Sequence, residues 1–196
     1  MPEQIVYHGF TQRYPGITYV LITDVLICQA FDPTAKSNHP PTKQFRAIWD
    51  TGATGTVITK KVVNECSLSP INITKVQHYG GISDSNVYLV NIILPNNVGV
   101  HQVQVTEGDL GGNADVLIGM NIITIGDFAI TNKDGKTMFS FRSPSIEHID
   151  FGKQNSHTPN TSQQQPLKLP QRISRNAPCS CGSGIKFKKC CGKQQI

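Results

Sequence analysis

The chain has 196 residues, a net charge of +5, and low fractions of both hydrophobic (38%) and charged (16%) residues. That length allows one ordinary core and at most a small appendage. No run of about 18 uncharged apolar residues occurs, so no membrane-spanning helix is expected. The start, Met1-Pro2-Glu3-Gln4, has no basic segment followed by an apolar one, so no secretory signal is expected. This favours a reducing cytoplasm, where cysteines serve as metal ligands or free thiols rather than disulfides.

Residues 17–30 are rich in β-branched and aromatic side chains and are expected to be a strand. A loop follows through Pro40-Pro41, and residues 45–49 form a second strand that ends at Asp50-Thr51-Gly52. Residues 56–58 are expected to be extended, with Thr59 as the N-cap of a short helix over 60–66. Residues 74–78 and 87–94 form a hairpin whose flexible tip spans Tyr79 to Asn86. Pro95-Asn96-Asn97 turns the chain into a strand over 98–106. Val116-Leu117-Ile118-Gly119 is a short apolar segment before a brief helix. Strands at 128–131 and 137–141 flank the turn Asn132-Lys133-Asp134-Gly135. Short, regularly spaced strands give a mainly β, barrel-like domain over 1–150. Residues 151–170 are a polar linker by composition, and 171–196 form a separate module.

Asp50-Thr51-Gly52 is the chemically pointed feature. Peptide hydrolysis without a metal or covalent nucleophile needs one group to activate water and another to donate a proton. Two close carboxylates do both, because they cannot both ionise easily and so share a proton. Gly52 allows a tight turn, and the Thr51 hydroxyl can lock two such turns together at a two-fold interface. No other Asp in the chain is followed by Thr-Gly or Ser-Gly, so the second carboxylate must come from another copy.

The succession of Asp50-Thr51-Gly52-Ala53-Thr54, the Gly-bearing tip Tyr79-Gly80-Gly81-Ile82 and Val116-Leu117-Ile118-Gly119 resembles the retropepsin-type aspartic proteases. The resemblance spans roughly residues 15–142. It implies that each chain is one lobe of a homodimer that hydrolyses polypeptides. Asp50 would be the catalytic carboxylate, Thr51 and Gly52 would shape the turn, and residues 79–82 would be the flap over substrate. Viral members have Asp where this chain has Thr54 and Arg where it has Met120. Both are absent here, which suggests the cellular and bacterial branch. The rival reading is a non-catalytic dimeric binding module that keeps the motif.

The tail carries Cys179-x-Cys181, eight residues, then Cys190-Cys191. Two cysteine pairs around a glycine-bearing loop can converge on one tetrahedral structural zinc, with disulfide or redox chemistry as the alternative. A metal would fold a segment too short to build a core. The segment from Arg175 to Gly192 resembles the SEC-C motif, a small bacterial zinc module. That resemblance assigns the ligand role to Cys179, Cys181, Cys190 and Cys191 and implies docking of a protein partner. Six of the 18 basic residues and no acid lie in 171–196, so residues 1–170 are near neutral. These basic residues improve solubility and offset thiolate charge. No base-stacking aromatic array accompanies them, so nucleic acid is not the expected partner. Cys28 and Cys66 are expected to be small buried hydrophobes, and Trp49 to point away from Asp50 by strand alternation.

Overall fold

The computed structural model describes residues 6–35, 39–78, 80–95, 97–152, 174–179 and 183–190. The chain divides into two units, Met1–Ile146 and Glu147–Ile196. The first is mainly β. Its strands are β1 (His8–Arg13), β2 (Leu21–Gln29), β3 (Lys43–Trp49), β4 (Thr56–Ile58), β5 (Asn72–His78), β6 (Gly81–Ile93), β7 (Gly99–Glu107), β8 (Val116–Ile118), β9 (Asp127–Thr131) and β10 (Met138–Ser143). Two short helices, α1 (Lys60–Glu65) and α2 (Met120–Ile123), follow β4 and β8.

A seven-stranded sheet runs in the order β2-β3-β8-β4-β7-β6-β5. An additional β2–β6 pairing, from Leu26↔Ile93 to Gln29↔Val90, closes it into a barrel. The alternation read in the sequence builds the interior. Leu21, Val25 and Ile27 from β2 meet Phe45, Ala47 and Trp49 from β3, and Val90, Ile92, Val105, Val116 and Ile118 complete the lining. Val62 and Val63 of α1 and Ile122 and Ile123 of α2 plug it. Thr59 takes the N-cap position of α1, but its hydroxyl makes no capping bond and is buried without a partner among the described residues. Cys28 is buried as expected. Cys66 is only partly covered; its Sγ lies 3.6 Å from the Ile27 carbonyl oxygen, and burial pushes its thiol up to about 11.

Three elements depart from the sequence expectation. The strand expected from residue 17 begins at Leu21, because Thr18 bonds back to Val20 and its N–H reaches the Thr137 hydroxyl. The hairpin tip expected over 79–86 is much shorter. His78 faces Gly81, so residues 81–86 belong to β6. Gly81, at φ +121°, takes a conformation that side-chain-bearing residues rarely adopt. β1 was not expected at all, since its polar run hides its pairing with β10, from His8↔Ser143 to Arg13↔Met138.

That pairing creates a second, three-stranded sheet in the order β1-β10-β9. One face carries Phe10, Phe128, Phe139 and Phe141, on which the Trp49 ring stands at centroid distances of 5.8, 6.1, 5.1 and 5.1 Å. The Trp49 indole N–H donates to the Thr23 hydroxyl at 2.8 Å, satisfying its one polar atom. The end of the sheet is fixed by Asp127. Its carboxylate accepts from the Ser145 hydroxyl, the Arg142 guanidinium at 2.6 Å and the Ile146 N–H at 3.1 Å.

The Ser145 bond first, then Arg142 and the Ile146 N–H, hold the Asp127 carboxyl at about 2, although burial pushes the other way. The folded value lies below the ordinary 3.8, so its contribution to stability is full above that value and is lost as pH falls through about 2. Asp127→Asn removes this dependence. Urea midpoints should then fall less steeply between about pH 5 and pH 2 in the variant than in the wild type. Parallel curves would contradict the assignment.

Candidate active site

The Asp50 turn is held by a strand threaded through it. β8 lies between β3, to which it is parallel (Ala47↔Val116, Ile48↔Leu117, Trp49↔Ile118), and β4, to which it is antiparallel (Val57↔Leu117). β3 ends at Trp49, and the Asp50 N–H donates to the Ile118 carbonyl at 3.0 Å. The chain then turns at once, because the Asp50 Oδ1 accepts the Gly52 N–H at 2.8 Å and the Ala53 N–H bonds the Asp50 carbonyl at 3.3 Å. α2 closes the turn from behind: the Met120 N–H donates to Ala53 at 2.8 Å and the Asn121 N–H to Thr54 at 3.1 Å. Where an ion pair between positions 54 and 120 is absent, backbone bonds fasten the helix to the loop.

The residues that follow Asp50 are open. Thr51 and Gly52 are exposed and Asp50 is half-buried. The Thr51 hydroxyl makes no hydrogen bond to any described residue. The carboxylate is thus oriented by its own turn, with no second carboxylate bonded to it among the described residues. Trp49 points into the core, as strand alternation implies.

Two residues that the sequence did not single out complete the support. The buried Thr56 hydroxyl donates to the Asn121 side-chain oxygen at 2.8 Å and accepts the Gly119 N–H at 3.2 Å. Asp115 joins β3 to α1, accepting from the Arg46 N–H at 3.3 Å and pairing with Lys61 at 3.1 Å. A buried hydroxyl in an otherwise apolar strand was the local signal for Thr56; its partner lies 65 residues away and left none.

The hairpin β5–β6 carries the expected flap residues Gly80, Gly81 and Ile82 at its end, with Ile82 69% exposed; Tyr79 lies outside the described residues. Gly81 and Ile82 make no hydrogen bond to the Asp50 turn among the described residues. The hairpin is anchored at its base instead. The Ser85 hydroxyl donates to the Glu107 carbonyl at 2.6 Å, the Tyr88 hydroxyl to the Glu107 carboxylate at 2.6 Å, and Lys60 lies 3.5 Å from that carboxylate. The Tyr88 bond, aided by Asn86 and Lys60, holds the Glu107 carboxyl below its usual range despite its burial. A groove of about 490 Å³ opens there, lined by Lys60, Asp84, Ser85, Glu107 and Asp109; Asp50 is not part of it.

In the second unit, Pro178 and Lys186 form a β-bridge, and the Cys179 N–H donates to Ile185 at 2.8 Å. Cys179 is buried and Cys190 half-buried, and the Ser183 hydroxyl lies 3.2 Å from the Cys190 sulfur. Cys181 and Cys191 lie outside the described residues.

The tightest steric constraint on the site is at Gly119. A Cβ there would lie 2.4 Å from the Gly55 carbonyl oxygen and 3.0 Å from that of Ala53, both backbone atoms of the Asp50 turn. A Cβ on Gly55 itself would meet nothing within 4 Å. Gly119→Ala should therefore cost about 1–3 kcal/mol in denaturant unfolding and misplace the turn. Gly55→Ala should leave stability within about 0.5 kcal/mol of wild type. Equal midpoints for the two variants would contradict this packing.

Residues 41–124 match the family model described as gag-polyprotein putative aspartyl protease, and residues 175–193 match that of the SEC-C motif. Among curated proteins, the SecA translocase subunit of Thermodesulfovibrio yellowstonii is 60% identical over 30 residues, and that of Heliobacterium modesticaldum 62% over 29. Each match covers 15% of this chain and 3% of SecA, so the chain spans a small fraction of these relatives. Among solved structures, a retropepsin-like aspartic protease from Rickettsia conorii aligns at a TM-score of 0.43 and 8% identity, over 71% of this chain and 98% of that one. The EIAV protease complexed with the inhibitor HBY-793 aligns at a TM-score of 0.39 and 19% identity, over 55% and 91%. The chain thus carries a domain of the gag-polyprotein aspartyl protease type at residues 41–124 and a SEC-C motif at residues 175–193.

Proposed function

We propose that the chain is an aspartic endopeptidase that works as a homodimer in the cytoplasm of a bacterium, with a zinc-bound C-terminal module for docking partners or substrates. The observation that carries this is the Asp50 turn: a carboxylate oriented by the Gly52 N–H and pinned by Ile118, left on an exposed turn within a domain of aspartyl protease type. A second copy would bring the second Asp50. The two carboxylates would share one proton, the ionised one drawing a proton from water while the protonated one polarises the scissile carbonyl. The pair would titrate as a unit. Thr51, exposed beside Asp50 with its hydroxyl free of bonds to described residues, would bond across the two-fold and join the turns. Residues 79–82 would fold over a bound polypeptide.

In the tail, Cys179, Cys181, Cys190 and Cys191 would hold the zinc. The buried thiol of Cys179, beside the Pro178–Lys186 bridge, suits such a donor set. The metal would supply folding energy to this segment, and the exposed residues Arg175, Lys186, Lys188 and Lys189 would offset thiolate charge.

Purified protein should cleave an unfolded polypeptide with specific activity that rises with protein concentration, and Asp50→Asn should lower the rate by at least about 100-fold. Undiminished cleavage by the variant would overturn the protease reading. Absence of cleavage by a dimeric, zinc-loaded wild type would favour the binding module instead. Elemental analysis of protein purified without chelators should find one zinc per chain, lost in Cys179→Ser; metal-free wild type would overturn the zinc reading.

A further inference from the structure

We propose that Glu107 is a positioning residue for the hairpin β5–β6: with Tyr88 it forms a lock at the root of the arm that sets the arm's direction relative to the Asp50 turn. This rests on the reading of that hairpin as the cover over a bound polypeptide.

The environment of β6 changes along its length. From Val87 to Ile93 it pairs with β7 in the barrel, between Val87↔Thr106 and Ile93↔Gly99. From Asn86 to Gly81 it pairs with β5 alone among the described strands. The arm thus leaves the barrel where β7 ends, at Glu107. None of its described residues, 72–77 and 81–86, is buried. With no apolar anchor, the arm's direction falls to polar bonds at its root.

Those bonds converge on one residue. The Ser85 hydroxyl donates to the Glu107 carbonyl at 2.6 Å. The Tyr88 hydroxyl donates to the Glu107 Oε2 at 2.6 Å, and the Asn86 amide reaches the same oxygen at 3.4 Å. Tyr88 is 1% exposed, so its ring is held by the core while its hydroxyl meets the carboxylate. A bond to a carboxylate is shorter and stronger than one between neutral groups. Lys60 lies 3.5 Å from the other oxygen, but its side chain is 64% exposed and adds little. On the barrel side, Glu107 faces Ile58 of β4, and the Gly108 N–H donates to the Ile58 carbonyl at 3.0 Å. β4 is the strand that follows the Asp50 turn, and its Val57 pairs with Leu117 of β8. Glu107 therefore joins the root of the arm to the strands that hold Asp50.

The groove of about 490 Å³ lies between this root, at Asp84 and Ser85, and the start of α1 at Lys60 and Lys61. It is the space into which an unlocked arm would swing. An arm that samples several directions is productive in only a fraction of chains, and apparent substrate affinity falls by that fraction. The closed complex is unchanged, so the loss appears in KM rather than kcat.

The test uses the full chain and Tyr88→Phe, which deletes one hydroxyl and leaves the ring. Amide hydrogen exchange over residues 81–86 should speed by about tenfold, the equivalent of one hydrogen bond to a charged group, while exchange over 116–118 stays as in the wild type. Glu107→Gln keeps an acceptor for Tyr88 but loses the charge, and should speed the same segment by less. In cleavage of an unfolded polypeptide, KM of Tyr88→Phe should rise about tenfold with kcat within about twofold of wild type. Unchanged exchange over 81–86 in both variants overturns the lock. So does equal acceleration over 116–118, which marks general loosening, or a fall in kcat at constant KM. A wild type that cleaves nothing overturns the protease reading instead, and the exchange data then decide the lock by themselves.

Discussion

The position of Asp50 depends on the threading of β8 between β3 and β4. A strand that pairs in parallel on one side and antiparallel on the other cannot shift without breaking both ladders. The Asp50 N–H is tied to the end of that strand, and α2, which follows it, is tied to the carbonyls of Ala53 and Thr54. The turn is gripped from both ends of one short element. Gly119 sits where the two grips meet, too close to Gly55 to carry a side chain. The buried Thr56 hydroxyl, bonded to both Gly119 and Asn121, ties that junction together.

The second constraint is aromatic. Trp49 is the last residue of β3, and its ring joins the barrel to the β1-β10-β9 sheet through Phe10, Phe128, Phe139 and Phe141. Any movement of that sheet is felt at the residue before the carboxylate. The Asp127 cluster holds the far end of β9 and β10 together through Arg142, Ser145 and Ile146. Fold and site are thus coupled through one indole ring.

Much of this was legible in the sequence where the signal is local. Asp50-Thr51-Gly52 declares a turn by side-chain chemistry, and Val116-Leu117-Ile118 declares a fully buried strand by its unbroken apolar character. What could not be read depends on distant partners. β1, His-Gly-Phe-Thr-Gln-Arg, looks like a polar loop until β10 arrives beside it about 130 residues later. Residues 81–86, with glycine, serine and aspartate, looked like a flexible tip. Ladder bonds with β5 and the Lys75–Asp84 pair at 3.1 Å make them strand. Asn121 and Asp115 gave no local signal because their work lies in contacts with Thr56 and Arg46. The cysteine spacing of the tail was legible in full, while Cys181 and Cys191 lie outside the described residues.

Subunit mixing tests most directly whether the proposed site is assembled from two chains. Wild type and Asp50→Asn chains would be combined in equal amounts, left to exchange subunits, and assayed at constant total concentration. If both Asp50 carboxylates are needed, only wild-type pairs are active and activity should fall to about a quarter of that of undiluted wild type. A fall to only about half, as expected if each chain works alone, would contradict the shared site.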